Sequence, residues 1–225
     1  MRNDVRNLLG LTALGVLVLT GCSPAARAPA PADGGPGASV RPLTDAQLRP
    51  RLLEPTDLGT DFRVRPQATA KPDETAVVGC PPLEKLGPLP ADGSLGFPHR
   101  ATVSFAHPSQ EAGLSEEIYS DTEAKISGRS REVFTATEAC PEFRMVSGTP
   151  PLDVTLRATV QKVAAPRLGD EQWGHVLTLT ADGRPSVTKV IAVRSGNVLV
   201  VLSGSPALVD AHVDKALAKA LKPTG

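Results

Sequence analysis

Three cysteines, four histidines and a few neighbouring acids are the residues of this chain whose types could do chemistry. The cysteines are Cys22, Cys80 and Cys140. None forms a C-x-x-C, and no histidine lies near Cys80 or Cys140 in sequence. That argues against a redox pair or a zinc centre, both of which rely on short, regular ligand spacing. The histidines, His99, His107, His175 and His212, make no H-E-x-x-H. His99 and His107 share strand parity, but eight residues of extended chain hold them about 27 Å apart. His212, inside a C-terminal helix pattern, reads as a satisfied or partly exposed side chain. No metal and no other cofactor is expected. Gly128-Arg129-Ser130 lacks the closing glycine of a nucleophile elbow, and Ser203-Gly204-Ser205 lacks the opening one. Glu116 and Glu117 are adjacent acids, yet neighbours on a strand face opposite sides, so a solvated edge is the better reading. The chain is therefore expected not to be an enzyme. One cluster stands out, Leu168-Gly169-Asp170-Glu171-Gln172-Trp173, with a glycine, two acids and the only tryptophan in a loop entering a strand. Gly169, Asp170, Glu171 and Trp173 form a candidate ligand loop, since loops carry function more often than sheets do. The architectural alternative is preferred: Gly169 makes the turn, Asp170 caps it and Trp173 covers the core.

The N-terminus explains the odd cysteine count. Arg2 and Arg6 precede an apolar run over residues 8–19, which as a helix spans about 18 Å, short of a roughly 30 Å hydrocarbon core. A basic start and a short apolar stretch describe a secretory signal peptide. Leu19-Thr20-Gly21-Cys22 then resembles the bacterial lipobox. That resemblance implies a diacylglyceryl group on the Cys22 thiol, removal of residues 1–21 and acylation of the new amine. Ordinary secretion, with Cys22 in a disulfide, is the competing reading. Two or more acyl chains hold a protein stably on a bilayer where one does not. The expected location is the extracytoplasmic side of the cell membrane, with the membrane reached through Cys22. Residues 22–42 make an Ala/Pro/Gly tether, with Pro24, Pro29, Pro31 and Pro36 and too little apolar surface to fold. Cys80 and Cys140 remain, and an exported chain makes a disulfide their default. Each sits beside a proline at a helix end, so the bond would staple a small helix to a larger one.

The elements that must position these residues follow from periodicity. Thr44 and Gln47 suit a capping box, with Leu48, Leu52 and Leu53 on one face of a short helix. Phe62-Arg63-Val64 starts a strand, and residues 66–78 read as a loop. A short helix follows Cys80. Strands over residues 101–105 and 114–120 precede a central helix over residues 122–139, with Ile126, Ser130, Val133, Phe134 and Thr137 inward. Residues 154–161 alternate as a strand with one wet face. Strands over residues 173–180, 187–193 and 198–202 are joined by turns at Asp182-Gly183 and Ser195-Gly196-Asn197. Ser205-Pro206 opens a last helix with Val209, Val213, Ala216, Leu217 and Ala220 inward, and Lys215, Lys219 and Lys222 suit its negative end. The expected fold class is α+β: an antiparallel β-sheet with helices packed on one face and one disulfide, over residues 43–222. The 225 residues are 40% apolar, enough for one core, and balance 24 basic against 24 acidic side chains. Zero net charge and seven aromatics argue against nucleic acid, which rewards a basic surface with stacking platforms.

Leu52-Leu53, Asp57-Leu58-Gly59, Phe62, Cys80-Pro81, Ala139-Cys140-Pro141 and Leu168-Gly169-Asp170-Glu171 together form a pattern that resembles actinobacterial sensor-domain lipoproteins. These are similar to the extracellular sensor domain of mycobacterial PknH-type serine/threonine kinases. The resemblance spans residues 43–221 and implies a sandwich-like α+β domain with a cleft for an unknown ligand. It departs from the kinases in having no kinase domain, so signalling would pass through a partner, and in forming one disulfide where they carry two. The expected function is a non-catalytic, sensor-like lipoprotein domain that binds an unknown small or envelope ligand, or a partner protein. The alternatives are an envelope hydrolase, with His175 or His107 brought to Asp170, and a structural envelope protein.

Overall fold

Alternating apolar residues become strands of one antiparallel sheet in the computed structural model, which describes residues 40–66, 75–88, 94–107, 113–148 and 154–222. The signal peptide, Cys22 and nearly all of the tether lie outside the described residues. The domain opens with helix α1 (Asp45–Leu48), a 3-10 turn (Arg49–Arg51) and helix α2 (Pro55–Leu58). Strands β1 (Arg63–Val64) and β2 (Thr75–Val78) and helix α3 (Pro81–Glu84) follow. Next come β3 (His99–Ala106), β4 (Gly113–Ser120) and helix α4 (Glu123–Glu138). The chain closes with β5 (Glu142–Ser147), β6 (Val154–Lys162), β7 (Glu171–Ala181), β8 (Arg184–Ser195), β9 (Val198–Gly204) and helix α5 (Pro206–Ala220). The sheet order is β1-β3-β4-β9-β8-β7-β6-β5-β2.

The α+β class, the antiparallel sheet and the Cys80–Cys140 disulfide are as expected, with a Cα–Cα distance of 5.8 Å. The placement of the helices on one face is corrected. Successive residues of a strand point to opposite faces, and on β4, β8 and β9 each set contributes buried apolar residues. Ile118, Ile191, Val193, Val198, Val200 and Leu202 pack with Val209, Val213, Ala216 and Leu217 of α5. Tyr119, Ala192 and Leu199, pointing the other way, pack with Ile126 and Phe134 of α4. The sheet is thus the middle layer of three at its centre.

All five residues expected inward on α5 are buried. On α4, Ile126, Ser130 and Phe134 are buried as expected, and Ala136 replaces Val133 and Thr137 as the fourth. The Thr44–Gln47 capping box is present. Residues 41–58 form a strap across the α5 side: Leu48 and Leu53 enter that core, and the Arg51 Nη1 donates to the Ala220 carbonyl at the end of α5 at 2.7 Å. Lys215 and Lys219 do not stand free at the helix end; both pair with Asp57 of the strap. Part of the segment read as a loop, residues 66–78, is instead β2, whose Val77 packs beneath the disulfide. β5, which the periodicity does not predict, joins β2 to the rest of the sheet.

Candidate functional site

The loop singled out by composition is engaged in holding the fold together. A Cβ on Gly169 would lie 2.4 Å from the Arg194 carbonyl oxygen, so β8 passes where only glycine fits. The Asp170 amide donates to that same carbonyl at 2.8 Å, and its carboxylate accepts from the Gly196 amide at 2.8 Å and from Arg194 Nη1 at 3.2 Å. Glu171 bridges Arg194 and Arg131 of α4. Burial alone would raise the Glu171 pKa, but hydrogen bonds from Arg194, Ser127 and Arg131 outweigh it and hold the carboxyl below its usual range. Trp173 stacks on Phe134 with ring centroids 5.0 Å apart. The segment therefore clamps the start of β7 to the β8–β9 turn and to α4. His175, further along β7, is 5% exposed beneath Phe134. Burial lowers its pKa, with Glu138 opposing, so its ring stays neutral near pH 7.

The acids Glu116 and Glu117 do face opposite sides, but the solvated edge is wrong. β4 lies between β3 and β9, and Glu116 is fully buried under the strap. Glu117 faces the α4 side, where it accepts from the Tyr119 hydroxyl and pairs with Arg100 at 3.0 Å. The Arg100 guanidinium lies over the Tyr119 ring at 5.7 Å, and Phe97 packs on the ring from above. Burial, and then the Glu117 charge, push the phenol above its usual range, so Tyr119 keeps its proton and donates it.

Around this cluster lies a polar strip that composition did not reveal. The registers line residues into rows across the sheet. One row on the α4 side reads Thr102, Glu117, Val201, Ala192, Trp173. The next reads Ser104, Ser115, Ser203, Val190, His175. α4 packs over β6, β7 and β9, and covers the right-hand members of both rows. Thr102, Ser104, Ser115, Glu117, Ser203 and Val190 remain half-buried. Ser104 and Ser115 share a hydrogen bond at 2.9 Å, and strand spacing places Ser203 about 4.8 Å beyond Ser115. The strip presents hydroxyls, an ion pair and an aromatic edge, a set suited to hydrogen-bonding a polar ligand. A signal was available in β3 and β9: Thr102, Ser104 and Ser203 are polar members of strands whose other face is apolar.

Among the described residues the one histidine in these rows is His175. His175 lies two strands from Ser203, about 10 Å away by strand spacing. His175 and Asp170 are separated by five residues of extended chain, about 17 Å. His107 follows the end of β3 and meets Phe62 edge-on. The hydrolase arrangement of His175 or His107 with Asp170 is not assembled. His212 is half-buried on α5, with its pKa lowered by burial and by Lys215. Among the described residues no group of three or more His, Cys, Asp or Glu could hold a metal ion.

A three-layered α+β domain, disulfide-stapled and with a polar strip left open on its sheet, is the class that fold and site define. Among solved structures the chain is similar to the extracellular domain of PknH from Mycobacterium tuberculosis, with a TM-score of 0.59 at 12% identity. The match covers 81% of this chain and 99% of that one, so the fold that the resemblance implied is the fold found. No protein-family model and no curated protein matches the sequence.

Proposed function

We propose that the chain is a membrane-anchored extracytoplasmic lipoprotein whose domain, residues 43–222, recognises a polar small or envelope-derived ligand, or a protein partner, without transforming it. The observation that carries this reading is the half-buried strip of Thr102, Ser104, Ser115, Glu117 and Ser203 beside the apolar core under α4. Half-buried hydroxyls and an ion pair are stabilised when water or a ligand completes their hydrogen bonds. Gly169, Asp170, Glu171 and Trp173 act as the frame that fixes β7 and α4 beside it. Fold likeness to an extracellular domain supports an extracytoplasmic location, as does a disulfide. The anchor rests on Leu19-Thr20-Gly21-Cys22, and a domain of this kind would signal through a partner.

Two measurements test the reading. Cys22→Ala should move the protein from the membrane fraction to the soluble one; unchanged membrane association overturns the lipid anchor. Thermal shift against fractionated envelope extract should raise the melting temperature of the parent protein with at least one fraction. Glu117→Gln and Ser115→Val should each abolish that rise while circular dichroism stays native. A rise of equal size in both variants would place recognition elsewhere.

A further inference from the structure

The face of the sheet opposite the polar strip is covered by α5 only at β4, β9 and β8. Over β5 and β6 its residues Arg144, Arg157, Thr159 and Gln161 are exposed, and here the register makes an unusual choice: Arg144 of β5 stands directly opposite Arg157 of β6. Like charges directly opposite one another across an antiparallel pair are destabilising, and neither arginine is held there by packing, since both are exposed. Arg157 pairs with Glu142 at 3.4 Å, with both side chains mostly in solvent. Arg144 has no ion-pair or hydrogen-bond partner among the described residues. Beside the two guanidinium groups is an open cavity of about 390 Å³, lined by Val78, Gly79, Glu142, Phe143, Arg144 and Arg157. Thr180 of β7 stands opposite Arg157 on its other side, and Thr159 and Thr178 form the adjoining pair, so hydroxyls border the site.

We propose that this cavity is a phosphate-binding site, with the two guanidinium groups clamping one phosphate group. One Arg fork satisfies both oxygens of a carboxylate. Two forks facing across a strand pair supply more donors than a carboxylate has oxygens, and match a group with three or four. Glu142 lowers the local charge from +2 to +1, which suits a phosphate diester or monoester over a highly charged polyanion. Bound phosphate removes the repulsion that the register builds in. The phosphate can belong to a free anion or to a glycerophospholipid headgroup. The site is on the sheet face away from the polar strip and stands independently of the function proposed above.

The test uses the full chain carrying Cys22→Ala, with the arginine Nε–H resonances followed by NMR at constant ionic strength. Inorganic phosphate and glycerophosphoglycerol are titrated in separate arms, with chloride and acetate as controls. Saturable shifts of the Arg144 and Arg157 resonances with either phosphate probe, at least tenfold weaker in Arg144→Gln and absent in the Arg144→Gln/Arg157→Gln double variant, support the site. The tighter of the two arms identifies the source. Equal shifts with acetate or chloride, or shifts that survive the double variant, overturn it. The variants should fold, and Arg144→Gln should melt no lower than the parent, because it relieves a repulsion.

Discussion

Glu116 occupies the least comfortable position of any ionisable side chain on the sheet. One carboxyl oxygen accepts the Leu53 amide at 2.6 Å, and the other is buried without a hydrogen-bond partner. Burial pushes its pKa up to about 7; the Leu53 amide and Lys219 pull the other way, and Asp57 adds to the rise. An acid whose folded pKa lies above its ordinary 4.5 stabilises the fold fully below that value, and this contribution is lost as pH rises through about 7. The size is on the order of 3 kcal/mol. Asp57 behaves in the opposite sense. Burial alone would raise it, but bonds from Lys219, the Glu54 amide and Lys215 bring it to about 2, so its contribution is lost only as pH falls through that value. His175 and His212, whose pKa values burial lowers, act in the opposite sense over the same range, so the acid is read as a difference: the urea midpoint of Glu116→Gln should gain on that of the parent as pH rises from 5 to 8. A difference between variant and parent that does not change with pH would contradict the buried acid. The sequence legibly separated Glu116 from Glu117 by strand parity. Whether β4 is an edge or a centre depends on its pairing with β9, some eighty residues downstream, and no local pattern carries that.

At the scale of elements, the disulfide joins Cys80, the N-cap of α3, to Cys140, two residues past α4, and Cys80 Sγ also accepts the Leu83 amide at 3.4 Å. It holds together Val77, Leu83, Ala136, Phe143 and Ala158, a cluster drawn from β2, α3, α4, β5 and β6. Between α3 and α4 it leaves a groove of about 570 Å³, floored by Leu86, Ala136 and Ala139. Cys80→Ser/Cys140→Ser should lower stability by roughly 4 kcal/mol, the loop-closure value for 60 residues. Hydrogen exchange should quicken first at the amides of β2, which among the described strands pairs only with β5; an unchanged melting temperature and unchanged exchange would mean that packing alone holds this corner. The disulfide and both long helices were readable from cysteine count, proline punctuation and 3.6-residue spacing. β2 and β5 were not. Four residues, Thr75-Ala76-Val77-Val78, after a polar stretch give too short a run to signal a strand, and Glu142–Ser147 alternates only weakly.

For the molecule as a whole, the sheet separates an α5 core from an α4 core, and its centre is buried on both sides. Period 2 tells which residues share a face but not how many faces are covered. The near-continuous apolar runs of β8 and β9, Val190-Ile191-Ala192-Val193 and Val198-Leu199-Val200-Val201-Leu202, were the signal of two covered faces. The wet alternation of β6 marked a solvent-facing side, and Thr155, Arg157, Thr159 and Gln161 are exposed there. The strap adds a mechanical property. Its attachments come one after another along the chain: the Arg41 carbonyl to Asn197, the Leu43 amide to Ser120, the Asp45 carboxylate to the Arg100 amide, the Leu53 amide to Glu116, and Asp57 to Lys219. A force drawn on the chain upstream of Arg41 meets these bonds in series, so it peels the strap one attachment at a time before it loads the sheet. The last bonds to be reached are those to Glu116 and Lys219, which makes tension on the N-terminal chain and protonation of a buried carboxyl two handles on the same seam.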